Sequence, residues 1–208
     1  MSVVKKEMMM YCFDVIINRL SGYPLATPEF DTSLKYGIFV TFHKVKGTKK
    51  SLRGCIGCLA PISLENMRTY ALYSAFRDDR FRPVMLEEVP HLECEVSLLH
   101  SFEKARNPLD WEVGKHGIMI DFEVEDQSFS ATFLPEVASE EGWDQLTTLK
   151  YLVAKAGYFF TDQLLDSIEL TRYQTEKGFL SFDEYVQMTK DRNRDVTELL
   201  KDRGIDLD

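Results

Sequence analysis

Ile118-Met-Ile-Asp-Phe-Glu-Val-Glu-Asp-Gln-Ser-Phe-Ser-Ala-Thr-Phe133 reads as two alternating runs about one turn. Ile118, Ile120, Phe122 and Val124 occupy every second position, Glu125-Asp126-Gln127 breaks the pattern, and Phe129, Ala131 and Phe133 resume it. Successive strand side chains point to opposite faces, so this spacing predicts a β-hairpin with one apolar face. Working outward, Asp110-Trp-Glu-Val-Gly-Lys-His-Gly117 is a turn-rich lead-in, and Leu134-Pro-Glu-Val137 ends the second strand. An acidic turn, Glu140-Glu-Gly-Trp143, precedes a helix expected from Asp144 to Ala156 and stopped by Gly157. A further strand is expected over Ile168 to Tyr173 and a short helix after Ser181.

Toward the N-terminus the period changes. Met8, Cys12, Val15 and their neighbours recur at helical spacing, giving an opening amphipathic helix that Ser21-Gly-Tyr-Pro24 ends. Tyr36, Ile38, Val40 and Phe42 alternate as a strand, and a lysine-rich turn joins it to a second strand over Leu52 to Leu59. Ser63 can cap a helix carrying Leu64, Met67, Ala71, Leu72 and Ala75, which runs into Arg77-Asp-Asp-Arg-Phe-Arg-Pro83. Leu92, Cys94, Val96 and Leu98 line the inner face of the next strand and send Glu93 and Glu95 outward. Hairpin-joined strands with helices scattered between them indicate an α+β fold with a mainly antiparallel sheet and flanking helices. From Thr189 the chain is charged and weakly periodic, which divides it into a domain over residues 1–188 and a tail over 189–208 that is a surface helix or disordered.

The segment richest in chemistry is Leu52-Arg-Gly-Cys-Ile-Gly57. Strict alternation puts Leu52, Gly54, Ile56 and Cys58 on a core face and Arg53, Cys55 and Gly57 on the other. A guanidinium folded over Cys55 would favour the thiolate, and Lys44, Lys46, Lys49 and Lys50 would add to a field that welcomes an anion. The competing reading is packing: a small cysteine in a crowded strand, glycines for close approach, and lysines in a solvated turn. Cys55 and Cys58 form Cys-x-x-Cys, but on a strand their Cα atoms stand about 10 Å apart on opposite faces, too far for a disulfide. A structural zinc site would need a second ligand pair, which the separated Cys12 and Cys94 do not supply, so no metal and no cofactor are expected.

Composition sets the outer limits. The 208 residues, 44% hydrophobic and 12% aromatic, can bury a real core. No apolar run is long enough to span a bilayer, and the opening residues lack the apolar stretch of a secretory signal. An intracellular protein, cytoplasmic or nuclear, is expected. The formal net charge of -9 argues against general nucleic-acid or membrane binding.

These residues together resemble the AMMECR domain family. The likeness runs from Tyr11-Cys-Phe-Asp14 to the region of Tyr185, with Leu52-Arg-Gly-Cys-Ile-Gly57 its most specific piece. Asp78-x-Arg-Phe81, Glu87-Glu-Val-Pro90, Val96-Ser-Leu-Leu99, Asp110-Trp-Glu-Val-Gly114, Leu134-Pro-Glu-Val-Ala138, Gly142-Trp-Asp144 and Leu170-Thr-Arg-Tyr173 extend it. The resemblance implies a larger and a smaller lobe with the cysteine segment beside the cleft between them. It implies no particular reaction, although prokaryotic members accompany Memo-type and radical S-adenosylmethionine proteins. Cys58 departs from the family pattern, as does the charged C-terminal extension.

Two classes of function follow. In the first, the chain is a binding or adaptor module that holds a protein partner or a small anionic ligand through Arg53, Gly54, Gly57, Asp78, Arg80 and Glu136. In the second, Cys55 is a nucleophile in acyl or hydrolytic transfer, or in a modification system beside a radical enzyme, and His116 is the base within hydrogen-bond reach. Each residue also has a plain role: Asp78 and Arg80 tie a helix end to the Phe81 loop, His116 serves its glycine-flanked turn, and Trp143 packs. The residues favour binding narrowly, because no Cys, His and Asp or Asn arrangement is evident.

Overall fold

The computed structural model describes residues 2–192 and 195–205. Seven helices are described: α1 (Lys6–Ser21), α2 (Met67–Phe76), α3 (Pro135–Glu140), α4 (Gln145–Lys155), α5 (Asp162–Leu165), α6 (Phe182–Asp191) and α7 (Val196–Asp202). Six strands accompany them: β1 (Lys35–Lys46), β2 (Lys49–Ser63), β3 (Leu92–Lys104), β4 (Gly117–Val124), β5 (Gln127–Phe133) and β6 (Glu169–Ser181). They form one antiparallel sheet in the order β2-β1-β3-β6-β4-β5 with flanking helices, an α+β fold. The chain divides into a larger unit, residues 1–98 with 176–208, and a smaller one, residues 99–175.

In the larger unit α1 is buried along Met8, Met9, Cys12, Phe13, Ile16 and Ile17, which pack with Ile38, Val40 and Phe42 of β1 and Cys94 and Val96 of β3. Gly22 ends α1 in the left-handed region at φ 74°, where its lack of a Cβ removes the usual penalty. Ser63 caps a short 3-10 turn over Leu64–Asn66, its Oγ accepting from the Glu65 N–H, and α2 follows directly. Cys12 and Cys94, far apart in sequence and expected to be isolated from each other, are both buried in this core, where Cys12 helps burial push the Cys94 thiol up. The segment after Thr189 holds α7, whose Val196 and Leu200 join the core together with Ile205. Residues 193, 194 and 206–208 of the expected tail lie outside the described residues.

The smaller unit has its own core of Trp111, Ile118, Ile120, Phe122, Leu149, Leu152 and Leu170. The β4–β5 hairpin closes through Glu125 and Asp126, at φ 49° and 63°, with Val124 opposite Gln127. Two short helices, α3 and α5, lie in what reads as linker, and β6 extends past Tyr173 to Ser181. Asp144 caps α4 by accepting from the Thr147 N–H at 2.7 Å.

Candidate functional site

The strand pairing around Cys55 departs from strict alternation at one place. Phe42 pairs with Gly54, but His43 pairs with Leu52, so Arg53 is an extra residue in β2, a β-bulge. The shift overturns two expectations. Leu52 is 38% exposed, not a core residue, and Arg53 is buried. Beyond the bulge alternation resumes: Gly54, Ile56 and Cys58 face the side of α2, with Cys58 against Tyr70, and Cys55 and Gly57 face the other way, opposite Thr41 and Phe39.

The glycines are set by close approach. A Cβ on Gly54 would stand 2.0 Å from the Ser74 carbonyl oxygen of α2. One on Gly57 would stand 2.2 Å from the Ile38 carbonyl oxygen and 2.4 Å from the Phe39 ring. Both positions therefore let neighbouring backbone and ring press onto β2.

The cations of this segment are committed to carboxylates. Arg53 donates through Nε and Nη2 to both oxygens of Glu88, at 3.0 and 2.9 Å. Glu88 also accepts from the Met85 N–H at 3.2 Å. The guanidinium beside it holds the Glu88 carboxyl at about 2, helped by the Met85 N–H and opposed by burial. Lys44 reaches Glu88 as well, and Lys50 pairs with Glu93, so two of the turn lysines are neutralised across the strands and not aimed at Cys55.

Asp78 and Arg80 act on the bare edge of the sheet. β2 is the terminal strand of the order, so one side of its backbone has no strand partner. At Cys55 the Asp78 Oδ2 accepts the N–H at 2.9 Å, and Arg80 Nη2 donates to the carbonyl oxygen at 3.3 Å. The two side chains thus complete the ladder that a further strand would have supplied. Arg80 grips Asp78 through Nε and Nη2 at 2.9 and 2.7 Å, which holds that carboxyl well below the usual carboxylate range. The Arg53 and Arg80 guanidinium groups lie 5.9 and 5.6 Å from the Phe81 ring centroid.

The thiol itself is half-buried. The Thr41 hydroxyl donates to Cys55 Sγ at 3.1 Å. Burial pushes the thiol up, and the Thr41 hydrogen bond and the Arg80 charge offset this only in part. The same face carries His43, Glu95, Ser97 and Lys177. Glu95 accepts from Ser97 at 3.1 Å and lies 3.9 Å from His43 Nδ1 and 3.8 Å from Lys177 Nζ. Glu95 points away from the core, as alternation along β3 predicts, and there it is a half-buried partner in this polar layer. Burial and the Lys50 charge push His43 down, which keeps it neutral near pH 7.

The other two sequence candidates belong to the smaller unit. His116 is buried, and its Nδ1 accepts from the Glu112 N–H at 3.0 Å, which fastens it to its own loop with the proton on Nε2. Burial pushes His116 down. Glu136 opens α3, where its charge acts on Tyr173, and Trp143 stacks on Tyr151 at 4.1 Å. Thr41, His43 and Glu95 were missed at the sequence level. Each lies in phase with Cys55 on its own strand, but the register that brings them together, Thr41 opposite Cys55, is set by pairing between strands.

The AMMECR1 family model matches residues 9–178. The chain belongs to the AMMECR1 family. An uncharacterised protein of Arabidopsis thaliana is 41% identical, covering 89% of this chain and 89% of its own. An uncharacterised Schizosaccharomyces pombe protein is 40% identical over 88% of this chain and 95% of the relative. The crystal structure of an uncharacterised Pyrococcus horikoshii protein is similar with a TM-score of 0.62 and 28% identity, covering 85% of this chain and 93% of that one. The matched segment of this AMMECR1-family chain contains Thr41, His43, Cys55, Glu95, Ser97 and Lys177 and ends before α6 and α7. Among the described residues no group of three or more His, Cys, Asp and Glu side chains is placed to hold a metal ion, and no helix is long and apolar enough to cross a membrane.

Proposed function

We propose that the chain is a binding module for a partner protein, with the polar face around Cys55 as the receiving surface and Cys55 as a contact residue, not a nucleophile. The observation that carries this reading is the state of the charges around Cys55: Arg53 is spent on Glu88 and Arg80 on Asp78, while burial pushes the thiol up. Activated cysteines sit beside uncommitted cations or helix N-termini that lower their pKa. A layer that alternates donors and acceptors (Thr41, His43, Glu95, Lys177) suits the mixed polar groups of a protein surface better than a single phosphate.

Alkylation of Cys55 against pH in a Cys58→Ser background tests this. The expected result is slow labelling with an apparent pKa above the value of about 8.5 for a free thiol. An apparent pKa more than about one unit below that value would overturn it. That outcome would favour the second reading, a cysteine-dependent enzyme. One observation supports that reading here: the Thr41 hydroxyl already donates to Sγ, and His43 and Glu95 share the face. Its base would then be His43.

A further inference from the structure

A groove of about 910 Å³ runs between α1 and α2 in the larger unit. Val15, Leu72, Phe76 and Val84 form its floor, and the exposed side chains of Tyr23, Leu25 and Tyr73 stand along it. Arg19, Arg68 and Arg77 also line it, and among the described residues no acidic side chain does. Four arginines elsewhere, Arg53, Arg80, Arg172 and Arg192, each hold one or more carboxylates. Among the described residues, none of the three groove arginines has a carboxylate partner; Arg77 lies over the Tyr73 ring at 5.1 Å, and the charge of Arg68 acts on Tyr11.

The walls are fixed in advance of any ligand. The Tyr23 N–H donates to the Asn18 carbonyl at 3.0 Å and Asn18 Nδ2 donates to the Pro24 carbonyl at 2.8 Å, which pins the loop carrying Tyr23 and Leu25 to α1. The Val84 N–H donates to the Ala75 carbonyl at 2.9 Å, which holds the far side of the floor against α2. A surface held in its binding shape loses less entropy on association. Tyrosine and arginine around an apolar floor is the composition of protein-binding hot spots. The chain carries a formal net charge of -9, so an acidic partner is repelled by most of the surface and drawn to this cationic groove.

We propose that this groove docks an acidic segment of a partner protein, seating one bulky apolar side chain on the Val15 and Phe76 floor and its carboxylates on Arg19, Arg68 and Arg77. The open flanks built by Tyr23 and Leu25 fit a peptide better than a small amphiphile, which prefers to be enclosed. The site is separate from the Cys55 face, and its test does not depend on the thiol.

Short random peptides displayed on phage are selected on the intact chain, with counter-selection on an Arg19→Glu/Arg77→Glu variant; both residues are exposed, so the reversals leave the core alone. The expected result is enrichment of peptides combining acidic residues with an aromatic or leucine. A synthetic copy should lose more than about tenfold in affinity to the double variant and weaken further as salt rises. It should bind Cys55→Ser as it binds the parent, and Leu25→Ala more weakly. Circular dichroism of each variant confirms that the fold is kept, and Arg19→Gln/Arg77→Gln replaces any variant that unfolds. Failure to enrich, enrichment of basic or neutral peptides, or equal binding by the double variant would overturn the proposal. So would micromolar binding of dodecanoate without any acidic peptide enriched, which would assign the groove to a small amphiphilic anion.

Discussion

Arg53 owes its burial to one inserted residue, and its charge is tolerable there only because Glu88 meets it with both oxygens. Replacing Glu88 by glutamine leaves a cation with little solvent access, and truncating one partner of such a pair costs about 3 kcal/mol. Replacing both, as Arg53→Met/Glu88→Leu, should cost less than either single change, which a double-mutant cycle in urea measures. The sign of the acid response follows from the depressed carboxyl. Glu88 lies at about 2 when folded against an ordinary 4.5, so its contribution is full above about 4.5 and fades as pH falls toward 2. The loss is at most about 3 kcal/mol, since Glu88 retains some solvent contact. In Glu88→Gln the stability of the protein between pH 5 and pH 2 should fall less steeply than in the parent; an unchanged slope would remove Glu88 as the source. None of this was legible beforehand. The hexapeptide could be picked out from its composition, but a bulge leaves no mark on period-2 spacing, and Glu88 is 35 residues from its partner.

At the scale of elements, β2 is an edge strand whose exposed ladder is closed at Cys55 by two side chains instead of a neighbour. Asp78→Ala removes the acceptor of the Cys55 N–H and frees Arg80. Hydrogen exchange at the Cys55 amide should then accelerate by more than about tenfold, while Ile56, whose ladder partner is Val40, stays protected. Equal acceleration at both amides would mean that the strand frays as a whole and that the cap is incidental. The same close approach makes Gly54→Ala costly: a methyl at 2.0 Å from the Ser74 carbonyl forces β2 and α2 apart, at about 1–3 kcal/mol read by urea unfolding. Elements of this kind were visible in the sequence where a period and a boundary signal coincided. The α1 stop at Gly22, the Ser63 cap, the helix start near Asp144 and the β4–β5 hairpin all follow from residue types. Helices α3 and α5, of six and four residues, are too short to display a helical period, and β6 runs on through Gln174 to Gly178 where apolar alternation stops.

At the scale of the whole molecule, two separate apolar clusters hold most of the buried apolar side chains among the described residues, and the C-terminal segment feeds the larger one. Little in the residue pattern announces α7, because its seven residues are mostly charged or polar, and the family match ends at residue 178, before α6 and α7 begin. Yet Val196, Leu200 and Ile205 are buried, and Arg203 donates to the Ser21 carbonyl at 2.7 Å, tying this segment to the end of α1. Burial of three aliphatic side chains predicts that a chain ending at Arg192 loses about 3–6 kcal/mol, after allowance for residual burial in the unfolded state. The probe is already built in. Cys12 and Cys94 are fully buried in the cluster that α7 covers, and burial pushes the Cys94 thiol far up, so neither reacts until that cluster opens. In the parent, a disulfide reagent should titrate Cys55 and Cys58 alone at neutral pH, and all four thiols only past the urea midpoint. In the shortened chain the second pair should appear at lower urea, whereas emission from Trp111 and Trp143 reports the smaller unit's core independently. If Cys12 and Cys94 stay protected to the same urea concentration in both chains, α7 rests on the core without holding it, and the segment after residue 192 is dispensable for the fold.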